Sequence, residues 1–429
     1  MTPRKLVFDL LQRSEKNKQY SNIVLDNSLK TCNMGDADKR LASTLFYGVI
    51  EKRITLDYII SKLSCRSLDK LDVSVLTALR LGIYQLAFLD RIPAHAAINE
   101  SVSLVSRKSS GFVNAVLRAY TRHEKIEFPK EENFSEYLSV RYSVCEPLAQ
   151  CFIDNFGKAE AENILKGFEF NPDITIRANT LKISRDELIR NIPDAQKTQN
   201  SPVGLRVKGS VRNLYGFEEG LFFVQDEASQ ICVEVLGALS EETILDVCSC
   251  PGSKSFGAAI NMKNCGRVLS FDLHQSKLSL VNDGAKRLGI DIIKTNVQDG
   301  RQPVAELESI ADRVICDVPC SGFGVLAKKP ELRYKDPTEC KALPNIQLDI
   351  LDNVCRYVKN GGTLVYSSCT ILPEENEKNI ERFLSRHNDF SLCEWSVGSI
   401  AAPQGMLTLY PHTHATDGFF IAKLIRKQL

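Results

Sequence analysis

Two cysteines and a series of aspartates in this 429-residue chain stand where short β-forming runs give way to loops. Cys369 follows Thr363-Leu-Val-Tyr366, a β-forming run after a Gly361-Gly362 turn, and precedes Pro373-Glu-Glu-Asn376. The latter reads as a helix opening, with proline in the first turn and carboxylates at the positive end of the dipole. Cys320 lies in Asp317-Val-Pro-Cys-Ser-Gly-Phe-Gly324, directly after the run Val314-Ile-Cys-Asp317. One such cysteine, taken alone, is better explained by a small hydrophobe in a core than by chemistry. Two thiols in separate strand-end loops ask for more, and the redox signature Cys-x-x-Cys at one helix start is absent. A pyrimidine suits them. C5 of cytosine is a poor nucleophile until a thiolate adds to C6 and makes an enamine that accepts an electrophilic methyl group. Loss of the C5 proton and expulsion of the thiolate then complete the reaction.

The first βα loop reads Asp246-Val-Cys-Ser-Cys-Pro-Gly-Ser-Lys254. Its glycine lets backbone amides approach a ligand, and the helix that follows offers unpaired N–H groups. It is neither Gly-x-Gly-x-x-Gly nor a Walker loop, which disfavours a pyrophosphate but not a ligand with one carboxylate and one adenosine. Asp272, 26 residues after Asp246, stands about where an acidic side chain accepts ribose hydroxyls in doubly wound folds. Asp299 follows the third strand and Asp317 ends the fourth. Any one of them would serve as a helix cap, but together at one sheet edge they outline a nucleoside-sized site. Zinc is not expected: Cys248-x-Cys250 has no second pair, and His412-x-His414 lies far along the chain.

These loops need a sheet to align them. From Glu241 onward the runs Ile244–Asp246, Val268–Asp272, Ile292–Ile293, Val314–Asp317 and Thr363–Tyr366 alternate with helical spacing, which implies a mainly parallel sheet with crossover helices. Gly418-Phe-Phe-Ile-Ala-Lys-Leu, after a turn-prone segment from His412 to Asp417, is expected to close the edge. Upstream, strand, helix and strand patterns at 174–179, 184–192 and 204–209, and a strand at 220–226 leading to a helix capped by Asp226, make a small α+β subdomain that begins after Asn171-Pro172. Residues 1–130 are helical. Apolar stripes run through Leu41, Leu45, Phe46, Val49 and Ile50, through Leu56, Ile59, Ile60 and Leu63, and through Leu76, Leu79, Ile83 and Leu86. Breaks are expected at Gly48, Ser64–Leu68, Pro93 and Ser109-Ser110-Gly111. The expected architecture is multi-domain: an all-α bundle (1–130), a helical connector (131–165), the α+β subdomain (166–232) and an α/β doubly wound domain (233–429).

The net charge of +1 conceals an asymmetry. Residues 1–130 hold 21 Lys+Arg against 13 Asp+Glu, and the remainder 33 against 40. A basic front favours a polyanionic partner. No signal-peptide pattern and no long apolar run is seen, and fourteen cysteines are scattered through the chain. These point to a reducing cytoplasm and no membrane partner.

Arg91-Ile-Pro-Ala-His-Ala-Ala-Ile-Asn-Glu100 and Gly111-Phe-Val-Asn-Ala-Val-Leu-Arg118 resemble the RNA-binding NusB module. The resemblance makes Lys39, Arg40, Lys52, Arg53, Arg80, Arg107, Lys108 and Arg118 candidates for phosphate contacts. Asp-x-Cys-x-x-Pro-Gly-x-Lys (246–254), Asp-x-Pro-Cys-Ser-Gly (317–322), Lys329-Pro330 with Arg333-Tyr334, and Ser-Ser-Cys-Thr with Pro-Glu-Glu-Asn (367–376) resemble the Nop/Sun-type RNA cytosine-5 methyltransferases. With the NusB-like front, the likeness spans essentially the whole chain and is greatest to members acting on small-subunit ribosomal RNA. It implies a monomeric, S-adenosylmethionine-dependent enzyme that methylates C5 of a cytosine in 16S rRNA. Cys369 would be the nucleophile, Cys320 would assist product release, and Asp317 would hydrogen-bond the cytosine ring. Cofactor contacts would come from Cys248, Ser249, Cys250, Pro251, Gly252, Ser253, Lys254, Asp272, Asp299 and Asp317. Ser249, Cys250 and Ser253 depart from the small Ala, Ala and Gly common in the family. The cation that lowers the Cys369 pKa would be Lys254, Lys328 or Lys329. The alternatives are a non-catalytic RNA-binding factor with a degenerate methyltransferase domain, and a DNA cytosine-5 methyltransferase. The latter would move the nucleophile to Cys320 and needs a downstream Glu-Asn-Val that is absent.

Overall fold

The apolar stripes of the front segment become the core of a helical unit. In the computed structural model, which describes residues 2–17, 21–122, 126–129, 132–169 and 173–428, the chain divides into two units. The first comprises Met1–Lys166 with Lys328–Pro337, and the second Gly167–Ala327 with Thr338–Leu429. The boundary expected at residue 130 and the change of texture at Asn171-Pro172 lie outside the described residues.

In the first unit, Leu45, Phe46, Val49, Leu56, Ile59, Ile60, Leu79 and Ile83 are buried in one cluster, with Leu41, Ile50, Leu63, Leu76 and Leu86 packed against it. Two expected breaks are corrected. Gly48 lies inside the helix Asp36–Glu51, where a Cβ would meet the Tyr84 ring at 2.0 Å, so the glycine lets a neighbouring helix approach closely instead of ending its own. Ser109-Ser110-Gly111 lie inside the helix Arg107–Arg122; Ser109 and Ser110 donate their backbone N–H to Ser106 O and so form its first turn. Three further helices, Phe134–Tyr142, Glu146–Phe156 and Lys158–Gly167, follow.

The Lys329-Pro330/Arg333-Tyr334 motif, read from sequence as part of the methyltransferase domain, groups with this helical unit. Arg333 is fully buried and donates to Tyr142 O at 2.9 Å, and the Tyr334 hydroxyl is 3.1 Å from Ser143 Oγ. The Arg53 guanidinium stacks 3.8 Å above the Tyr334 ring. Arg80 is also reassigned. It is buried in a two-bond pair with Asp57, Nε to Oδ1 at 2.7 Å and a terminal nitrogen to Oδ2 at 2.8 Å, so it is a packing element and not a phosphate ligand. Arg40, Arg107, Lys108 and Arg118 are exposed.

The second unit begins with a four-stranded antiparallel sheet: β1 (Ile174–Ala178), β2 (Gln196–Lys197), β3 (Gly204–Val207) and β4 (Phe222–Val224), ordered β2-β3-β1-β4. Ser184 and Glu187 form a reciprocal capping box on the intervening helix Arg185–Asn191. Asp226 caps the helix Glu227–Leu236 as expected, accepting from Ala228 N at 2.9 Å. Fully buried Arg177 donates to Glu234 and Asn261, both at 2.8 Å, tying β1 to the domain that follows.

That domain carries the parallel strands β5 (Thr243–Asp246), β6 (Arg267–Asp272), β7 (Ile293–Val297), β8 (Ala311–Asp317) and β9 (Val358–Ser368). They are followed by β10 (Phe390–Leu392), β11 (Trp395–Val397), β12 (Ile400–Ala402), β13 (Met406–Leu409) and β14 (Phe419–Arg426). The order is β10-β14-β9-β8-β5-β6-β7, with β13 also on β14. β5 through β9 pair in parallel, and β14 runs antiparallel to β9. β14 is therefore not the edge strand expected from sequence, because β10 and β13 pair beyond it. The third strand starts at Ile293, later than expected. Gly361-Gly362 is not a turn before the strand but part of β9, where the register against β8 jumps from Ala311↔Val358 to Arg313↔Thr363. Segment 412–417 opens within a one-turn helix, Pro411–His414. Among the described residues no helix is long and apolar enough to cross a membrane.

Candidate active site

Chain direction across the parallel sheet reverses between β5 and β8, and a crevice opens outside the carboxyl ends of strands at such a point. The loops after these two strands meet there. Lys254, buried in the first turn of the helix Ser253–Asn261, places Nζ 2.6 Å from Asp317 Oδ2 at the end of β8. Burial alone would lower the lysine pKa, but Asp317 and Asp246 outweigh it and hold the ammonium above its ordinary value. The other Asp317 oxygen accepts from Ser367 Oγ at 2.7 Å. Of the three cations considered from sequence, Lys254 is thus committed to Asp317, and Lys328 and Lys329 belong to the helical unit.

Next to this pair the two thiols meet. Cys320 and Cys369 follow neighbouring strands, and their sulfurs are 2.9 Å apart. The hydrogen bond to Cys369, followed by burial, pushes the Cys320 pKa well above the usual thiol value. The Cys320 sulfur also accepts from the backbone N–H of Cys369 at 3.3 Å, so the two thiols are joined by two contacts. Gly324 holds the Cys369 loop from below: its N–H donates to Cys369 O at 3.0 Å and its carbonyl accepts from Gly418 N at 2.7 Å. A Cβ on Gly324 would lie 2.0 Å from Gly418 O and 2.8 Å from Cys369 O, both backbone atoms. Gly324→Ala is expected to destabilise the protein by about 2 kcal/mol or more, read as a fall in denaturation midpoint.

Pro373-Glu-Glu-Asn376 does not open a helix. It forms a turn, and the helix starts at Glu377. The reason is that Glu375 and Asn376 are drawn inward. Asn376 accepts from Ser368 Oγ at 2.6 Å and donates to Thr370 O at 3.0 Å, bracketing Cys369, while Glu375 accepts from Ser321 N at 3.0 Å. Gln347, on the helix Leu343–Val354, donates to Glu375 at 2.7 Å. Sequence reasoning missed these roles. Glu375 and Asn376 had a local cue in their closeness to Cys369; Gln347, 27 residues after Cys320, had none.

The cofactor-loop residues lie along the turn from β5 into the helix. Gly252 adopts φ 106°, and a Cβ there would strike the Phe256 ring at 2.6 Å, so the turn requires glycine. Ser249 is buried and its Oγ has no hydrogen-bond partner, which leaves a donor and acceptor for a ligand. Ser253 is half-buried, with its carbonyl accepting from Gln225 at 3.1 Å. Cys248 is pushed up by burial and then by the surrounding aspartates, and Cys250 is raised to about 12 by burial and Asp272. Buried Asp246, raised to about 7 by burial, accepts from Ser255 Oγ at 2.6 Å and ties the helix to β5. Asp272, half-buried at the end of β6, accepts from His274 N at 3.0 Å. Asp299 is paired to Arg301 through both oxygens, at 3.0 and 2.7 Å, which holds its carboxyl below the usual range.

Residues 233–425 match the family model for the 16S rRNA methyltransferase RsmB/F, and residues 1–122 match the NusB family. The chain is 36% identical to the probable ribosomal RNA small subunit methyltransferase B of Synechocystis, over 99% of both chains. It is 32% identical to ribosomal RNA small subunit methyltransferase B of Escherichia coli, over 96% of both. The chain belongs to the RsmB/F methyltransferase family. Among solved structures, that of PH0851 covers 99% of both chains with a TM-score of 0.81 at 27% identity, and a methyltransferase homologue from Pyrococcus horikoshii covers 67% of this chain with a TM-score of 0.59 at 27% identity. As a member of the RsmB/F family the chain is a methyltransferase, with S-adenosylmethionine as methyl donor and a NusB domain ahead of the catalytic fold. The unpartnered Ser249 Oγ, the Gly252 turn and the strand-end Asp272 fit such a ligand.

Proposed function

We propose that this chain methylates C5 of a cytosine in 16S ribosomal RNA, with position 967 as the first candidate, through a covalent bond between Cys369 Sγ and C6. The observation that carries this reading is the pair of sulfurs 2.9 Å apart at the ends of adjacent parallel strands, beside an aspartate oriented by a lysine and a serine. In the proposed course the Cys369 thiolate adds to C6, and the displaced electron pair moves into the ring toward C5 while Asp317 hydrogen-bonds the ring and supports its protonation. Residues 248–254 with Asp272, Asp299 and Asp317 would hold S-adenosylmethionine, which would supply the methyl group. Cys320 then gives up its own proton to water and, as a thiolate, takes the C5 proton; the electrons of that C–H bond restore the C5–C6 double bond and the C6–S bond breaks toward Cys369, which leaves as a thiolate. The two thiols suit this order. The largest upward push on Cys320 is its hydrogen bond to Cys369, which weakens once Cys369 is a thioether, a poor acceptor.

The target base has to leave any stack to reach both thiols, so a loop cytosine is expected. The basic residues Lys39, Arg40, Lys52, Arg53, Arg107, Lys108 and Arg118 of the NusB domain are assigned to RNA phosphates, and the enzyme to a monomer of the cytoplasm. Mapping 5-methylcytosine in 16S rRNA from cells with and without this protein tests the reading. Loss of one modified cytosine is expected. An unchanged pattern, or loss of a methyl group from another atom, overturns it.

A further inference from the structure

Cys320 is gripped on both flanks by side chains that do not belong to its own loop. On one side, Pro319 O accepts from Gln347 Nε2 at 2.9 Å; on the other, Ser321 N donates to Glu375 Oε2 at 3.0 Å. The two gripping residues are joined, since Gln347 Nε2 also donates to that same Glu375 oxygen at 2.7 Å. Both are buried. The grip is itself braced: Gln347 Oε1 accepts from Asn379 Nδ2 at 3.1 Å, and the Tyr366 hydroxyl donates to Glu375 O at 2.6 Å. Ser321 Oγ, bonded to Thr370 Oγ1 at 2.7 Å, links the Cys320 loop to the residue after Cys369. The second Glu375 oxygen is buried without a hydrogen bond. A carboxylate kept in that state is costly to the fold, which points to a task beyond packing.

We infer that Gln347 and Glu375 are positioning residues that hold Cys320 at the reacting sulfur and set the rate at which methylated RNA is released. The inference rests on the two-thiol reading above. Neither side chain touches a reacting atom; they act through the two peptide groups that flank Cys320. A misplacement of about 1 Å at a reacting group costs on the order of a hundredfold in rate, and loss of either grip frees one flank of the loop. Their effect falls chiefly on release, because the Cys369 loop has a bracket of its own in Asn376, through Ser368 and Thr370, besides its link to Ser321.

The test compares Gln347→Met, Glu375→Ala, Glu375→Gln and Cys320→Ala in the full chain with S-adenosylmethionine and a cytosine-containing rRNA fragment. Covalent protein–RNA adduct is followed by denaturing gel, alongside methyl transfer. Gln347→Met and Glu375→Ala are expected to form adduct at the parental rate and to release it at least about tenfold more slowly. Glu375→Gln, whose carbonyl still accepts from Ser321 N and Gln347, is expected to restore release. If Cys320→Ala accumulates adduct while Gln347→Met and Glu375→Ala release it at the parental rate, the positioning role is wrong and the two-thiol reading stands. If both variants lose adduct formation and release in the same proportion, or if Glu375→Gln behaves like Glu375→Ala, the residues only support the fold and the inference fails. If Cys320→Ala accumulates no adduct, the two-thiol reading itself falls.

Discussion

Cys369→Ala is expected to lower methyl transfer by more than about a thousandfold and to eliminate covalent protein–RNA adduct, with little change in RNA affinity. The effect is large because no other group in the crevice replaces the lost sulfur. Cys320 remains, but with the two peptide groups beside it fixed by Gln347 and Glu375, it is not arranged to attack in place of Cys369. Stability changes little by comparison, since Cys369 is half-buried and the loop keeps its bonds through Gly324 and Asn376. A filter-binding titration next to a methyl-transfer assay separates the two effects. A DNA-type arrangement, with Cys320 as nucleophile, predicts the opposite: Cys369→Ala would retain adduct.

Cys320→Ala is expected to do something different in kind. Attack by Cys369 and arrival of the methyl group do not need the second sulfur, so the reaction proceeds to the methylated adduct and stops there. Steady-state turnover falls by about a hundredfold or more, the usual scale for loss of an acid–base group, while adduct accumulates to near the enzyme concentration. Adduct that builds in Cys320→Ala and vanishes in Cys369→Ala assigns the roles of the two thiols in one experiment. Equal loss of adduct in both variants would mean that the sulfurs act together in the attack.

Much of this was legible from residue order because the parallel sheet is read almost directly. Each apolar run ends in a chemically distinctive loop, and placing those loops at one edge needs only right-handed crossovers between β5, β6 and β7 and between β8 and β9. The misreadings share a physical cause. Gly48, Gly361-Gly362 and Ser109-Ser110-Gly111 look like breaks because glycine and serine weaken local helix and strand preference, yet tertiary contact or a bulge absorbs them. Arg80 looked like a phosphate ligand because its partner Asp57 lies 23 residues earlier, beyond helical i,i+4 range. Pro373-Glu-Glu-Asn376 looked like a helix opening because acidic residues suit a helix N-terminus. Its carboxylate and amide are instead spent on the Cys320 and Cys369 loops, contacts with residues up to 54 positions away that no local pattern encodes. The grouping of Lys328–Pro337 with the helical unit is of the same kind, since Arg333 meets Tyr142 O across 191 residues.

The central claim is that Cys369 forms the bond to the base. An rRNA fragment carrying 5-fluorocytidine at the target position tests it most directly, because fluorine at C5 cannot leave as a proton and the adduct cannot resolve. After reaction with S-adenosylmethionine, proteolysis and mass spectrometry locate the modified peptide. The expected result is a nucleotide attached to Cys369, within the peptide that ends β9. Attachment to Cys320, or recovery of methylated RNA with no protein attached anywhere, would contradict it.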